Sequence, residues 1–213
     1  MTEQNFESMR RAMVASQLRT TAVNDPRVIA AMGVVPRERH VPAERAALAY
    51  VDTLVPLGGA RWLNPPMVTG LLLTEAAPQP EDRALVVGSA TGYAAAVLAQ
   101  LVRSVVALEA DSALSANAPP LANVEPVEGP LAEGWAAGAP YDLILIDGVI
   151  EALPDALIAQ LAEGGRLATG LIERGVSRLV VGRRAAGGFG TTAFADAEAA
   201  PLPGFAPPPA FRF

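Results

Sequence analysis

Apolar residues at Phe6, Met9, Met13, Val14 and Leu18 recur at helical spacing, so the chain opens with an amphipathic helix whose polar face carries Arg10 and Arg11. A second helix is predicted from Asp25-Pro26 to about Met32, because an Asp side chain accepts from free amides at a helix start and a Pro there forfeits no hydrogen bond. Val35-Pro36 and Val41-Pro42 end it. Between Tyr50 and Pro66 the periodicity gives way to Gly and Pro, which predicts an irregular loop, followed by a helix from Pro66 to Ala76. Long loops of this kind often carry function.

From Arg83 the pattern changes to short apolar runs alternating with helical stretches. Strands are predicted at Ala84 to Val87, Ser104 to Glu109, Asn123 to Val127, Tyr141 to Asp147 and Gly165 to Leu171, with helices from Tyr93 to Arg103 and from Pro154 to Ala162. Near-continuous apolar strands separated by helices imply a parallel sheet covered on both faces. Ser177 to Arg184 and Phe189 to Ala195 flank Gly187-Gly188 and predict an antiparallel hairpin at the sheet edge. The tail from Pro201 is Pro-rich and expected to be extended, and no internal repeat is visible. The expected fold is therefore α/β: a Rossmann-like, doubly wound, mostly parallel sheet with a C-terminal antiparallel hairpin and an N-terminal helical segment. Residues 1–80 and 81–213 are expected to form the helical, loop-bearing part and the sheet domain of one compact unit.

Composition narrows the chemistry. The 213 residues include 22 acidic ones against 16 basic ones, all Arg, for a net charge of -6. A broad basic field for nucleic acid or an anionic membrane is thereby excluded. The absence of Cys removes disulfides, thiolate metal sites and thiol nucleophiles, and suits a reducing cytoplasm. No apolar run approaches the ~18–20 residues that span a bilayer, and Met1 to Arg11 lacks the apolar core of a signal peptide. A cytoplasmic location is expected.

In a doubly wound sheet a ligand lies beyond the carboxyl ends of the strands, which directs attention to Gly88-Ser89-Ala90-Thr91-Gly92 after the first strand. Glycines at 88 and 92 with a small residue at 90 match the spacing of S-adenosylmethionine sites better than a dinucleotide fingerprint, which would need Gly at 93. A tight strand-to-helix turn would also select these glycines without any ligand. Glu109, at the end of the second strand, is placed to accept from ribose hydroxyls; Asp111 competes for that role, and an ordinary solvated acid is the plain alternative. Asp147 closes the fourth strand and is open to three roles: positioning a substrate, binding a metal, or capping the turn at Val149 to Ala152. No cluster of His, Asp or Asn supports the metal, so none is expected. His40, the one His, sits in a charged connector, where a surface position is the usual outcome and catalysis the exception. Trp62 and Trp135 read as packing residues, with Trp62 a pocket-lining alternative.

The motifs Asp25-Pro-Arg-Val-Ile-Ala-Ala-Met32, Val35-Pro-Arg-Glu38, Ala49-Tyr-Val-Asp52, Leu54-Val-Pro-Leu-Gly58, Gly88 to Ala99 and Tyr141 to Gly170 together resemble the protein-L-isoaspartate O-methyltransferases along nearly the whole chain. The resemblance implies transfer of a methyl group from S-adenosylmethionine to the carboxylate of isoaspartyl residues in damaged proteins or peptides. It implies Gly88, Ser89, Ala90, Gly92, Glu109 and Gly129 at the cofactor. This chain also departs from the family pattern. Gly59-Ala-Arg-Trp-Leu-Asn-Pro65 stands where the family reads Gly-Gln-Thr-Ile-Ser-Gln-Pro, so Leu63 takes the active-site Ser position and no catalytic residue is assigned. Val86 replaces an acid, Ala90 a glycine, Gly129-Pro130-Leu131 a Gly-Asp-Gly motif, and Asp147-Gly148-Val149 a Thr-Ala-Ala.

Three readings follow. The chain methylates isoaspartyl carboxylates with Arg61, Asn64 and Asp147 on the substrate side, since Arg clamps a carboxylate with two N–H groups. It uses the same cofactor on another acceptor oriented by Asp147. Or it is a non-catalytic binding or scaffold protein with a protein partner, in which Trp62, Leu63 and Pro130 fill the former pocket.

Overall fold

A computed structural model describes residues 5–206. The first helix, α1 (Phe6–Met13), continues into a π-helical turn over Val14–Leu18. The helix α2 (Pro26–Val34) starts as predicted, with the Asp25 carboxylate accepting from the Arg27 amide at 2.8 Å. Two 3₁₀ turns follow at Arg37–His40 and Ala43–Leu48. The expected irregular loop instead contains an antiparallel hairpin, β1 (Val55–Gly58) and β2 (Arg61–Leu63), whose shortness hid its alternation among the prolines. Then α3 (Pro66–Ala76) occupies the predicted span and ends at Ala77 in a left-handed conformation.

The sheet is built from β3 (Arg83–Val87), β4 (Ser104–Glu109), β5 (Val124–Glu128), β6 (Tyr141–Ile150), β7 (Leu161–Glu173), β8 (Val176–Ala185) and β9 (Gly188–Asp196), in the order β5-β4-β3-β6-β7-β8-β9. The first five are mutually parallel and the last two antiparallel, as the sequence predicts. Between strands lie α4 (Tyr93–Leu98), α5 (Ser112–Ser115) and α6 (Asp155–Ala159). The helix predicted to Arg103 stops at Leu98 because the chain must turn back to β4; the Arg103 and Ser104 amides both donate to the Asp82 carbonyl. The helix predicted from Pro154 to Ala162 is likewise shorter, since β7 already begins at Leu161.

Alternation along the central strands divides the core. Ala84, Val86, Leu143 and Leu145 face the cluster formed with the N-terminal helices and α4, while Leu85, Val87, Ile144 and Ile146 face Leu131, Leu157, Leu161 and Phe205. Both faces are covered, which is why β3 and β6 read as unbroken apolar runs. Of the tail, Pro201 forms a parallel bridge with Val149; beyond Ala206 the sequence-based expectation lies outside the described residues. Among the described residues no helix is long and apolar enough to cross a membrane.

The N-terminal layer docks through α3 at Gly70, where an added Cβ would lie 2.9 Å from Val23 Cγ2 and 3.4 Å from Leu18 Cδ2. Gly70→Val is expected to destabilise the fold by about 1–3 kcal/mol through overpacking, despite a gain in helix propensity. Urea denaturation checks this, and an unchanged midpoint would contradict the close contact.

Candidate active site

Strands β3 and β4 end side by side, and the polypeptide after β3 wraps the end of β4. The Gly88 and Ser89 amides donate to the Leu108 carbonyl at 2.9 and 3.0 Å, with Gly88 at φ +76° and Gly92 at φ +82°, both in the left-handed region that favours glycine. Ala90 also lies there, at φ +47°, a conformation that costs a non-glycine residue about 1 kcal/mol. That geometry aims the Ala90 amide at Glu109 Oε2, 2.7 Å away.

Glu109 is 0% exposed, so its carboxylate depends on protein donors. Oε1 accepts from the Ala110 and Asp111 amides at 2.9 and 3.1 Å. Arg61 then closes on it with a two-pronged ion pair, Nη1 to Oε1 at 2.5 Å and Nη2 to Oε2 at 3.0 Å, while Nη2 also donates to the Gly88 carbonyl at 3.2 Å. Five N–H donors thus meet a carboxylate with about four lone-pair sites. Asp111, the competing acid, instead caps α5 by accepting from the Ala113 amide at 3.0 Å.

The other substrate-side candidates are adjacent. Asn64 Nδ2 donates to Asp147 Oδ1 at 2.7 Å, and Asn64 Oδ1 accepts from the Ala200 amide at 2.7 Å. Asp147 does not close its strand or cap a turn: β6 runs on to Ile150 through an irregularity between Leu145 and Val149 that leaves Asp147 facing Asn64. Burial pushes the Asp147 carboxyl above the ordinary range, with the Asn64 hydrogen bond and the Arg37 and Arg61 charges partly offsetting it and Glu109 adding to it. Gly129 sits after β5 with its amide bonded to the Glu109 carbonyl at 3.1 Å. Ser89, Gly92, Ala96, Ala107 and Pro119 line a neighbouring cavity of about 140 Å³.

Leu63 is buried in the core cluster that also holds the N-terminal helices and Ala90 of the glycine loop. Leu202 lies over Gly88: a Cβ built on Gly88 would lie 2.9 and 3.0 Å from its two methyl carbons. The segment bearing it is held by Val149, whose amide donates to the Ala200 carbonyl at 2.7 Å and whose carbonyl accepts from the Leu202 amide at 3.1 Å. Sequence reasoning missed this segment, although Leu202 is an apolar residue isolated among prolines and glycine.

His40, expected on the surface, is 2% exposed. Its Nδ1 lies 2.7 Å from the Thr91 carbonyl, and the Thr91 hydroxyl donates back to the His40 carbonyl at 2.6 Å, so the 3₁₀ turn brackets the glycine loop. Its ring meets Tyr93 edge-on at 5.5 Å between centroids. Arg37, fully buried, stacks its guanidinium 4.6 Å over the Tyr93 ring and donates to the Ala49 and Asn64 carbonyls. Its burial was not legible in the charged stretch Arg37-Glu38-Arg39-His40.

The chain matches the family described as Protein-L-isoaspartate(D-aspartate) O-methyltransferase (PCMT) over residues 8–191. It belongs to that family. A Methanoregula boonei protein-L-isoaspartate O-methyltransferase is 38% identical over 178 residues, covering 81% of this chain and 82% of the relative. One from Koribacter versatilis is 34% identical over 205 residues, covering 93% and 92%. Among solved structures, a protein-L-isoaspartate O-methyltransferase superposes with a TM-score of 0.79 at 19% identity, covering 92% of this chain and 67% of that one. A Plasmodium falciparum protein assigned to the same class, solved with S-adenosyl-L-homocysteine, superposes at 0.77 and 20% identity over 95% of this chain and all of the other. These two structural likenesses carry the fold. The relatives and the family match carry the membership.

Two titrations follow from this burial. His40 is the chain's single His, and burial lowers its pKa from 6.5, with the Thr91 contact partly offsetting this. Its NMR titration is expected to have a midpoint below 6.5, and stability to decline as pH falls through 6.5, because the unfolded chain takes up the proton first. For Asp147 the sign is opposite to that of a paired carboxylate. Above 3.8 the unfolded chain releases a proton that the folded state retains, so this group's contribution falls as pH rises toward its folded value. Asp147→Asn is expected to be more stable than the parent at pH 8, with the gap closing toward pH 4 in urea melts at each pH.

Proposed function

We propose that this family member binds S-adenosylmethionine at the Gly88 loop and Glu109 and directs its methyl group to the carboxylate of an isoaspartyl residue. The observation that carries the reading is the placement of one buried acid, Glu109, and one glycine-turned loop at the ends of adjacent parallel strands, where a ribose and its attached chain would lie. The cofactor supplies a methyl group on a sulfonium, already activated toward a nucleophile. An isoaspartyl carboxylate is already ionised at neutral pH, so the protein's work is placement and exclusion of water rather than proton transfer.

Glu109 would accept from the ribose hydroxyls in place of Arg61, and Gly88 and Gly92 would leave backbone room. On the acceptor side, Arg61 would clamp the carboxylate with its two terminal nitrogens and Asn64 would orient it. Asp147, whose carboxyl is raised by burial, would stand beside Asn64 at the acceptor. Leu63, at the family's Ser position, would bound the site without contributing a hydrogen bond.

A second reading draws support from one observation: Glu109, the Gly88 carbonyl and both ends of the Asn64 amide are satisfied by the chain's own atoms. A non-catalytic scaffold that engages a protein partner would show this. Incubation with labelled S-adenosylmethionine separates the readings. Transfer to an isoaspartyl peptide and none to its aspartyl isomer is the expected result. No transfer, from folded protein beside an active relative, would defeat the first reading and leave the second.

A further inference from the structure

Arg61 and Leu202 reach the crevice from outside the sheet. Arg61 stands on the β1–β2 hairpin and Leu202 on the segment after β9, and between them they take the polar and the apolar halves of the space around Gly88. The guanidinium meets the acid and the Gly88 carbonyl; a Cβ on Gly88 would lie 3.4 Å from its Nη2 and 2.9 Å from the leucine methyl. These occupants are incompletely settled. Arg61 is 4% exposed, yet its Nε has no hydrogen-bond partner among the described residues, so burying it leaves one donor unsatisfied. A buried ion pair gains little net free energy over its separated, hydrated ions. Glu109, by contrast, keeps three backbone donors whether or not Arg61 is present, and so remains a formed acceptor when the guanidinium departs.

We infer that Arg61 and Leu202 form an internal stand-in for the cofactor, with Arg61 on the ribose-binding acid and Leu202 over Gly88, and that cofactor binding displaces both and frees Arg61 for the acceptor carboxylate. The inference rests on the methyl-donor reading above. While both terminal nitrogens of Arg61 are on Glu109, that pair is not available to clamp an acceptor carboxylate end-on. The end-on clamp for the acceptor is therefore formed only once the cofactor has taken Glu109, which gives the two ligands an order. The family pattern, with Thr at this position, lacks a group that can do this.

The test is titration calorimetry of S-adenosyl-L-homocysteine into the parent protein, Arg61→Gln and Leu202→Ala, each first shown to melt cooperatively. Leu202→Ala leaves the ion pair intact and so keeps the test open if Arg61→Gln fails to fold. Both variants are expected to bind at least tenfold more tightly than the parent. Measurable parent binding with no gain in either variant overturns the stand-in and leaves the cofactor reading intact. No binding by any of the three folded proteins overturns both. For the handover, an isoaspartyl peptide is expected to bind the parent at least tenfold more tightly with saturating S-adenosyl-L-homocysteine than without it, and this difference is expected to vanish in Arg61→Gln. A difference that persists in the variant assigns the coupling to another residue and overturns the handover.

Discussion

Everything near the carboxyl edge of the sheet is arranged around one buried carboxylate. Glu109 has no access to solvent, so three backbone amides and a guanidinium must supply what water would have given. That requirement sets the left-handed turn at Ala90, draws the β1–β2 hairpin onto the sheet through Arg61, and ties the ends of β3 and β4 together through the Gly88 carbonyl. Removing the acid would leave these elements with no common anchor.

A second layer steadies the first. The segment from Arg37 to His40 grips the glycine loop at Thr91, stacks on Tyr93 and holds the Asn64 carbonyl, so the hairpin and the loop share one support. The charges of this buried group are unevenly expressed. Arg37 and Arg61 face Glu109 and Asp147, but burial favours the uncharged form of Asp147. Burial likewise lowers the pKa of Arg37, so the same desolvation acts against charge on both sides of this group.

The sequence exposed the fold wherever periodicity was long enough to read. The β3 and β6 runs, the Asp25-Pro26 helix start and the Gly187-Gly188 hairpin all stand where their patterns put them. Short pieces were obscured: β1 and β2 have four and three residues, too few for alternation to emerge from a Gly- and Pro-rich background. At the site, the sequence located Glu109 and the glycines because their position follows from sheet topology. It could not reveal that Arg61 would meet Glu109, 48 positions away, or that His40 would be buried, since both depend on how separate segments pack. Leu202 was invisible for the same reason.

The bond between Ala200 and Asn64 joins positions 136 residues apart. During synthesis the glycine loop and Glu109 therefore exist well before the segment that covers Gly88. For that interval the glycine loop and Glu109 lack Leu202, and the later segment that bears it is the one that covers Gly88. The nascent protein thus passes through a period in which Leu202 does not yet lie over Gly88.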